Sequence, residues 1–193
     1  MLLLSALLVG VTIGLLSGGR PRNLLSLGLR WNGLIFAALF VQLVISTLWL
    51  PVPIRLAPPL YVLSDLIAVA WLWRNLRIHG ILCIVAGACS NLAAIVANGG
   101  RMPVDGALLS RTRGAAESTA AAFGQLPANR VLTGHDTRLV WLTDRLLLPA
   151  PPPLATVFSA GDVLIGIGAA WLIVAGMRRR GRDSEPAKTE LAA

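Results

Sequence analysis

Two aspartates are the residues best placed for chemistry. Asp162 stands in Val157-Phe158-Ser159-Ala160-Gly161-Asp162-Val163-Leu164-Ile165, at the opening of an apolar stretch, and Asp144 stands eighteen positions upstream. Two carboxylates within a few ångströms of each other cannot both ionise easily, so one keeps its proton and the pair can act as acid and base. Water held between them could attack a peptide carbonyl. A structural reading competes with this one. Ser159 is placed to cap a helix, and Asp162, three residues on, is placed as the acidic partner of a capping box, where it also complements the helix dipole. For Asp144 the structural alternative is a surface salt bridge with Arg138 or Arg145.

Other polar side chains fall inside apolar stretches: Asp65, Asn91 and Asn98, with Gln42 a weaker case. Insertion scales put a central Asp in a bilayer at a cost of about 2.5–3.5 kcal/mol, so each of these groups needs a reason. Asn91 and Asn98 read as supporting residues, and Asn91 in particular as an interhelical hydrogen-bond residue of the kind that ties helices together in lipid. Asp65 is expected to pair with an arginine or to bond to Asn91, with an ion relay as the sharper alternative. His79 and His135 are far apart in sequence and do not converge with other ligands, so no metal is expected. Phosphate loops, nucleophile elbows and dinucleotide fingerprints are absent, and no organic cofactor is expected. Cys83 and Cys89 share one apolar stretch and read as buried packing residues.

The elements that must position these groups are apolar to an unusual degree. Of 193 residues, 55% are hydrophobic and 13% charged, against roughly 25% charged in soluble domains. The net charge of +8 comes from arginines that flank apolar runs, which fits membrane topology better than nucleic acid. Apolar stretches at 2–16, 33–50, 58–73, 80–98 and 157–177 predict an all-α integral membrane protein with about five transmembrane helices. The first stretch lacks a basic n-region and a good cleavage site, so it is kept as a helix over the competing reading of a cleaved leader. Gly10, Gly14 and Gly18 give that helix a small-residue face for close packing.

Arginines follow helices one, three and five, which puts those ends inside, the N-terminus outside and the C-terminus in the cytoplasm. Residues 1–178 then form one membrane domain, and 179–193 a disordered tail. The connection 99–156 is predicted to be a structured cap on the outer face. It starts with a turn at Asn98-Gly99-Gly100, is helical in part around 115–123, and continues as an interfacial segment at 138–148, with Trp141 at headgroup level. Prolines then stiffen the lead into helix five.

Gly18-Gly19-Arg20, Asn91, Asn98-Gly99-Gly100-Arg101-Met102-Pro103-Val104, Leu142-Thr143-Asp144 and Phe158-Ser159-Ala160-Gly161-Asp162 together resemble an uncharacterised bacterial family of small polytopic membrane proteins. The resemblance runs to about residue 178 and implies a bacterial plasma-membrane protein with no established activity. Trp141-Leu142-Thr143-Asp144 and Phe158-Ser159-Ala160-Gly161-Asp162 are also distantly similar to the two aspartate segments of lipoprotein signal peptidase, an aspartyl protease with four transmembrane helices. In this chain Ser159 stands for that family's Asn and Gly161 for its Ala. The likeness implies Asp144 and Asp162 as an outer-face catalytic pair acting without metal or cofactor on a membrane-embedded peptide.

The expected function is therefore a multi-pass membrane protein with an outer-face aspartyl-peptidase-like site. The competing class is a non-enzymatic accessory or assembly subunit that docks other membrane proteins. A small transporter, resting on Asp65, lacks paired broken helices or an inverted repeat. The expected partners are the lipid bilayer and membrane proteins or peptides, with no nucleic acid.

Overall fold

In a computed structural model, the structure describes residues 2–46, 53, 55–113, 129–150 and 155–179. Five long helices stand on the apolar runs: α1 (Leu2–Leu16), α2 (Asn32–Ser46), α3 (Ala57–Arg74), α4 (Ile81–Ala97) and, after a short α5 (Gly106–Arg113), α6 (Ala160–Arg178). Leu and Ala dominate the runs and favour helix. Prolines open α3, where their missing N–H groups cost nothing. The expected extension of α2 to residue 50 and the partial helix at 115–123 lie outside the described residues, as does the tail from residue 180 on.

On helix length, the expected five-span topology is not supported. Among the described residues only α6 is both long and apolar enough to cross a membrane, while α1, α2 and α4 are apolar but shorter. At 1.5 Å per residue the 15 residues of α1 reach about 22 Å, short of a ~30 Å hydrocarbon core. α3 has 18 residues but carries Asp65 and Arg74.

The helices pack in the order α2, α3, α4, α6, α1. Neighbours run antiparallel except α1, which lies parallel to α6 with Ala6 beside Gly166 and Gly10 beside Ala170. The ends of α1, α3 and α6 and the starts of α2 and α4 therefore share one end of the bundle, where Arg20, Arg22, Arg30, Arg74, Arg77, Arg178 and Arg179 collect. Of the small-residue face expected on α1, Gly10 and Gly14 do pack on α6. A Cβ on Gly18 would meet nothing within 4 Å, and Gly19 takes its place against Met177. The Arg20 N–H and the Asn23 side chain both donate to the Met177 carbonyl oxygen, at 2.8 Å each.

The tightest crossing joins α4 to α6. Gly80 faces Gly168 and Gly87 faces Gly161, two pairs seven residues apart on each strand of the crossing. A Cβ on Gly168 would lie 2.6 Å from the Gly80 carbonyl oxygen, and one on Gly161 would lie 2.7 Å from that of Gly87. No side chain larger than hydrogen fits these places.

The described parts of the cap contain strand, so the all-α expectation is corrected to a mostly helical fold. The chain leaves α4 through Gly99 and Gly100, at φ 70 and 81, angles that favour glycine. It then forms β1 (Met102–Val104), which pairs in parallel with β2 (Arg130–Leu132). Further on, β3 (Leu146–Leu148) pairs antiparallel with β4 (Thr156–Phe158), so Val157 and Phe158, expected in the last helix, belong to a strand. Helix α6 starts only at Ala160 because Ser159 caps it. Val104, Leu109 and Val157 form the cap's own apolar core. Cys89 is exposed and Cys83 half-buried, both free, so the expectation of buried packing residues fails for Cys89. Its outward face on α4 needs only an apolar surrounding, which a thiol tolerates.

Gly168→Leu should force α4 and α6 apart and lower the thermal midpoint, at a cost of at least about 1–3 kcal/mol. Gly33→Ala, where an added Cβ meets nothing within 4 Å, should leave the midpoint unchanged or slightly raised.

Candidate functional site

A cavity of about 320 Å³ descends between α3, α4 and α6 beneath the cap. Its α3 wall repeats at helical spacing, Tyr61, Asp65, Ala68 and Leu72, and its α4 wall likewise, Ile84, Ala88, Asn91 and Ile95. Residues at these spacings share one face of a helix. The upper part is polar and is completed by Asn129, Arg130 and Asp144 from the cap and Asp162 from α6. Four of the six site residues expected from sequence, Asp144, Asp162, Asn91 and Asp65, thus line one space.

Asp162 is held from two sides. Its Oδ2 accepts from the Ser159 N–H at 3.0 Å, and the Ser159 Oγ accepts from the Asp162 N–H at 3.0 Å, a complete capping box. Asn91 closes the arrangement: its Nδ2 donates to Asp162 Oδ1 at 2.8 Å, and its Oδ1 accepts from the Ser159 hydroxyl at 2.8 Å. Gly161 makes this approach feasible, since a Cβ there would run into the Asn91 amide. The capping and interhelical roles expected for Ser159 and Asn91 are both present.

Asp144 departs from its expected surroundings. It is 4% exposed, and its Oδ2 lies 3.6 Å from Arg130 Nη2, so its partner is neither Arg138 nor Arg145. The Arg145 guanidinium sits over the Trp141 ring, 4.8 Å from its centroid. The Arg138 N–H donates to Asn98 Oδ1. The main chain explains the burial: the Asp144 N–H donates to Pro103 O and its carbonyl accepts from the Asp105 N–H, both at 3.0 Å, so the residue is stitched to β1. Burial pushes the Asp144 carboxyl up to about 7, with Arg130 pulling it down and nearby Asp162 adding to the rise.

Asp65 bonds neither an arginine nor Asn91. It accepts from Gln42 Nε2 at 2.8 Å, because the antiparallel α2–α3 pair sets those two residues level. Asn98 lies outside the cavity. Its Nδ2 donates to Ala94 O and Arg138 O, tying the end of α4 to the cap. Sequence reasoning missed Tyr61, Asn129 and Arg130. Tyr61 was recoverable, being four residues from Asp65 on the same face; Arg130 carries no local signal of its partner. Among the described residues no group of three or more His, Cys, Asp or Glu could hold a metal ion.

The chain belongs to DUF5317, a family of unknown function, matched over residues 26–174. The matched stretch contains the whole cavity and leaves α1 outside it. No curated protein and no solved structure matches the chain.

Asn91→Ala should strip a donor from Asp162 and an acceptor from Ser159, lowering stability by about 1–3 kcal/mol in thermal or denaturant unfolding. The raised carboxyl of Asp144 implies a pH trend of definite sign. A folded-state value above the ordinary 3.8 means that the native state binds the proton more tightly. Its stabilising contribution is full below about pH 4 and is lost as pH rises through about 7. The thermal midpoint should fall between about pH 5 and 8, and Asp144→Asn should flatten that slope.

Proposed function

We propose that this member of a family of unknown function is a membrane-embedded bundle whose outer cap completes a two-carboxylate site, and that the site hydrolyses peptide bonds of a membrane-presented substrate. The bilayer reading draws on the outward faces of the helices. Leu4, Leu8, Val9 and Leu15 on α1, with Phe36, Phe40 and Leu43 on α2, are each half or more exposed. Apolar faces that continuous are unusual on soluble monomers. Exposed tryptophans mark both ends, Trp141 on the cap and Trp31 and Trp73 among the arginines, as the two interfaces of a membrane favour. A bilayer thins around short helices at modest cost, which accommodates α1 and α2. The arginine-rich end then faces the cytoplasm and the cap faces outward.

One observation carries the chemical reading: Asp144 and Asp162, from separate elements, line one cavity, with Asp162 near enough to add to the rise of the Asp144 carboxyl. Asp162, with both oxygens accepting hydrogen bonds, is set as the base that takes a proton from water. The resulting hydroxide adds to the peptide carbonyl carbon. Asp144, whose carboxyl burial raises to about 7, donates its one proton to the carbonyl oxygen as the hydroxide adds, giving a neutral tetrahedral diol. Arg130 beside Asp144 steadies the carboxylate so formed; as the C–N bond breaks, Asp162 passes its proton to the leaving nitrogen and Asp144 takes one back from a diol hydroxyl, which restores both acids.

The accessory-subunit reading takes its support from the capping box, which gives Asp162 a structural task without catalysis. To separate the two, the full chain is reconstituted in phosphatidylethanolamine–phosphatidylglycerol liposomes with fluorophore-labelled single-span peptides. Cleavage should fall by about 100-fold or more in Asp144→Asn and in Asp162→Asn. Wild-type rates in both variants, or wild-type protein no more active than empty liposomes, would leave the subunit reading in its place.

A further inference from the structure

Two cavities adjoin at the arginine-rich end of the bundle. One, about 520 Å³, is walled by Arg30, Arg74, Arg77 and Trp73 over the turn that follows α3. The other, about 400 Å³, runs along α3 over Leu66, Val69 and Ala70 to Trp73 and Arg74, with Trp31 facing it. Trp73 and Arg74 belong to both, and among the described residues no acidic side chain lines either. All three arginines are exposed. Three guanidinium groups with no carboxylate among the described residues around them attract an anion, and their forked donors match phosphate oxygens. The apolar cavity follows α3 for eight residues, about 12 Å at 1.5 Å per residue, the scale of an acyl-chain segment.

The rim between them is strained. Trp31 adopts φ 62, a left-handed conformation that costs a side-chain-bearing residue about 1–2 kcal/mol. Its indole thereby meets the Arg74 guanidinium, 5.5 Å from the ring centroid. Buried Asn75 braces the preceding residue, accepting from the Arg30 N–H at 2.8 Å and donating to the Arg30 carbonyl oxygen at 3.1 Å. Such strain survives only where the surroundings over-determine it, and ligand clamps are among the places where it gathers.

We propose that this edge binds one anionic phospholipid, its phosphate held by Arg30, Arg74 and Arg77 and its acyl chain lying along α3 between Trp31 and Trp73. Charge complementarity selects an anionic over a zwitterionic headgroup, and basic pockets at the cytoplasmic ends of helices suit such lipids. The proposal rests on the membrane reading above and is independent of the outer acid pair.

The full chain in neutral detergent is titrated with phosphatidylglycerol, phosphatidylcholine or inorganic phosphate while its thermal midpoint is followed. Phosphatidylglycerol should raise the midpoint at concentrations at least about tenfold below phosphatidylcholine, and inorganic phosphate should not reproduce the rise. Replacing Arg30, Arg74 and Arg77 together by Gln should abolish the preference. Arg77→Gln alone, outside any helix, and Trp31→Gly, which relieves the backbone, should each fold and weaken it severalfold. Equal responses to the two lipids, an unchanged preference in Arg77→Gln and Trp31→Gly, or a full shift with inorganic phosphate alone would each overturn the proposal. None of these results bears on peptide cleavage by the acid pair, whereas a soluble monomer recovered without detergent would remove both readings.

Discussion

The backbone contact between α4 and α6 is the constraint on which the other features depend. Glycines at 80, 87, 161 and 168 let two main chains approach with nothing between them. Approach at that range permits weak Cα–H···O contacts and dense van der Waals packing, which are what hold helices together when the surroundings are as apolar as the side chains. The same closeness brings Asn91 onto the first turn of α6, where its amide serves Asp162 and Ser159 at once. A capping box usually satisfies only its own helix end. Here it also fastens a neighbouring helix.

The cap completes the upper chamber by a different means. β1 is buried along its whole length, flanked by β2 on one side and by the Asp144 bridge on the other. Pro103 sits in the middle of it without an N–H to give, and its carbonyl oxygen is what the Asp144 main chain uses. Arg130, delivered by β2, reaches Asp144 from the opposite flank of β1. The acid near α6 is thus held by helix geometry and the acid above it by strand geometry, and the cavity lies where the two systems meet.

Much of this was legible in the residues. Apolar runs located the long helices, Ser159 announced the start of α6, and Gly99-Gly100 announced the turn out of α4. The small residues of α1 signalled a close neighbour without naming it. Other features were hidden for physical reasons. Strands of three residues are too short to develop an alternating pattern, so 157 and 158 read as helix. The partners of Asp65 and Asp144 depend on which helices and strands become neighbours, and a polar residue's local sequence does not encode that. Apolar stretches also overstate helix length, because capping and strand pairing claim their ends.

The β3–β4 ladder works as a ruler. Leu146 sits opposite Phe158, with Asp144 two residues before the one and Asp162 four residues after the other. The gap between the acids is therefore metered by strand register and not by the length of chain that joins them. A slip of one residue would shift one acid by about 3.3 Å along its strand and turn the neighbouring side chains to the opposite face. Insertions in the connection between the two strands leave the ruler intact, whereas one added residue on either side of the ladder resets the spacing.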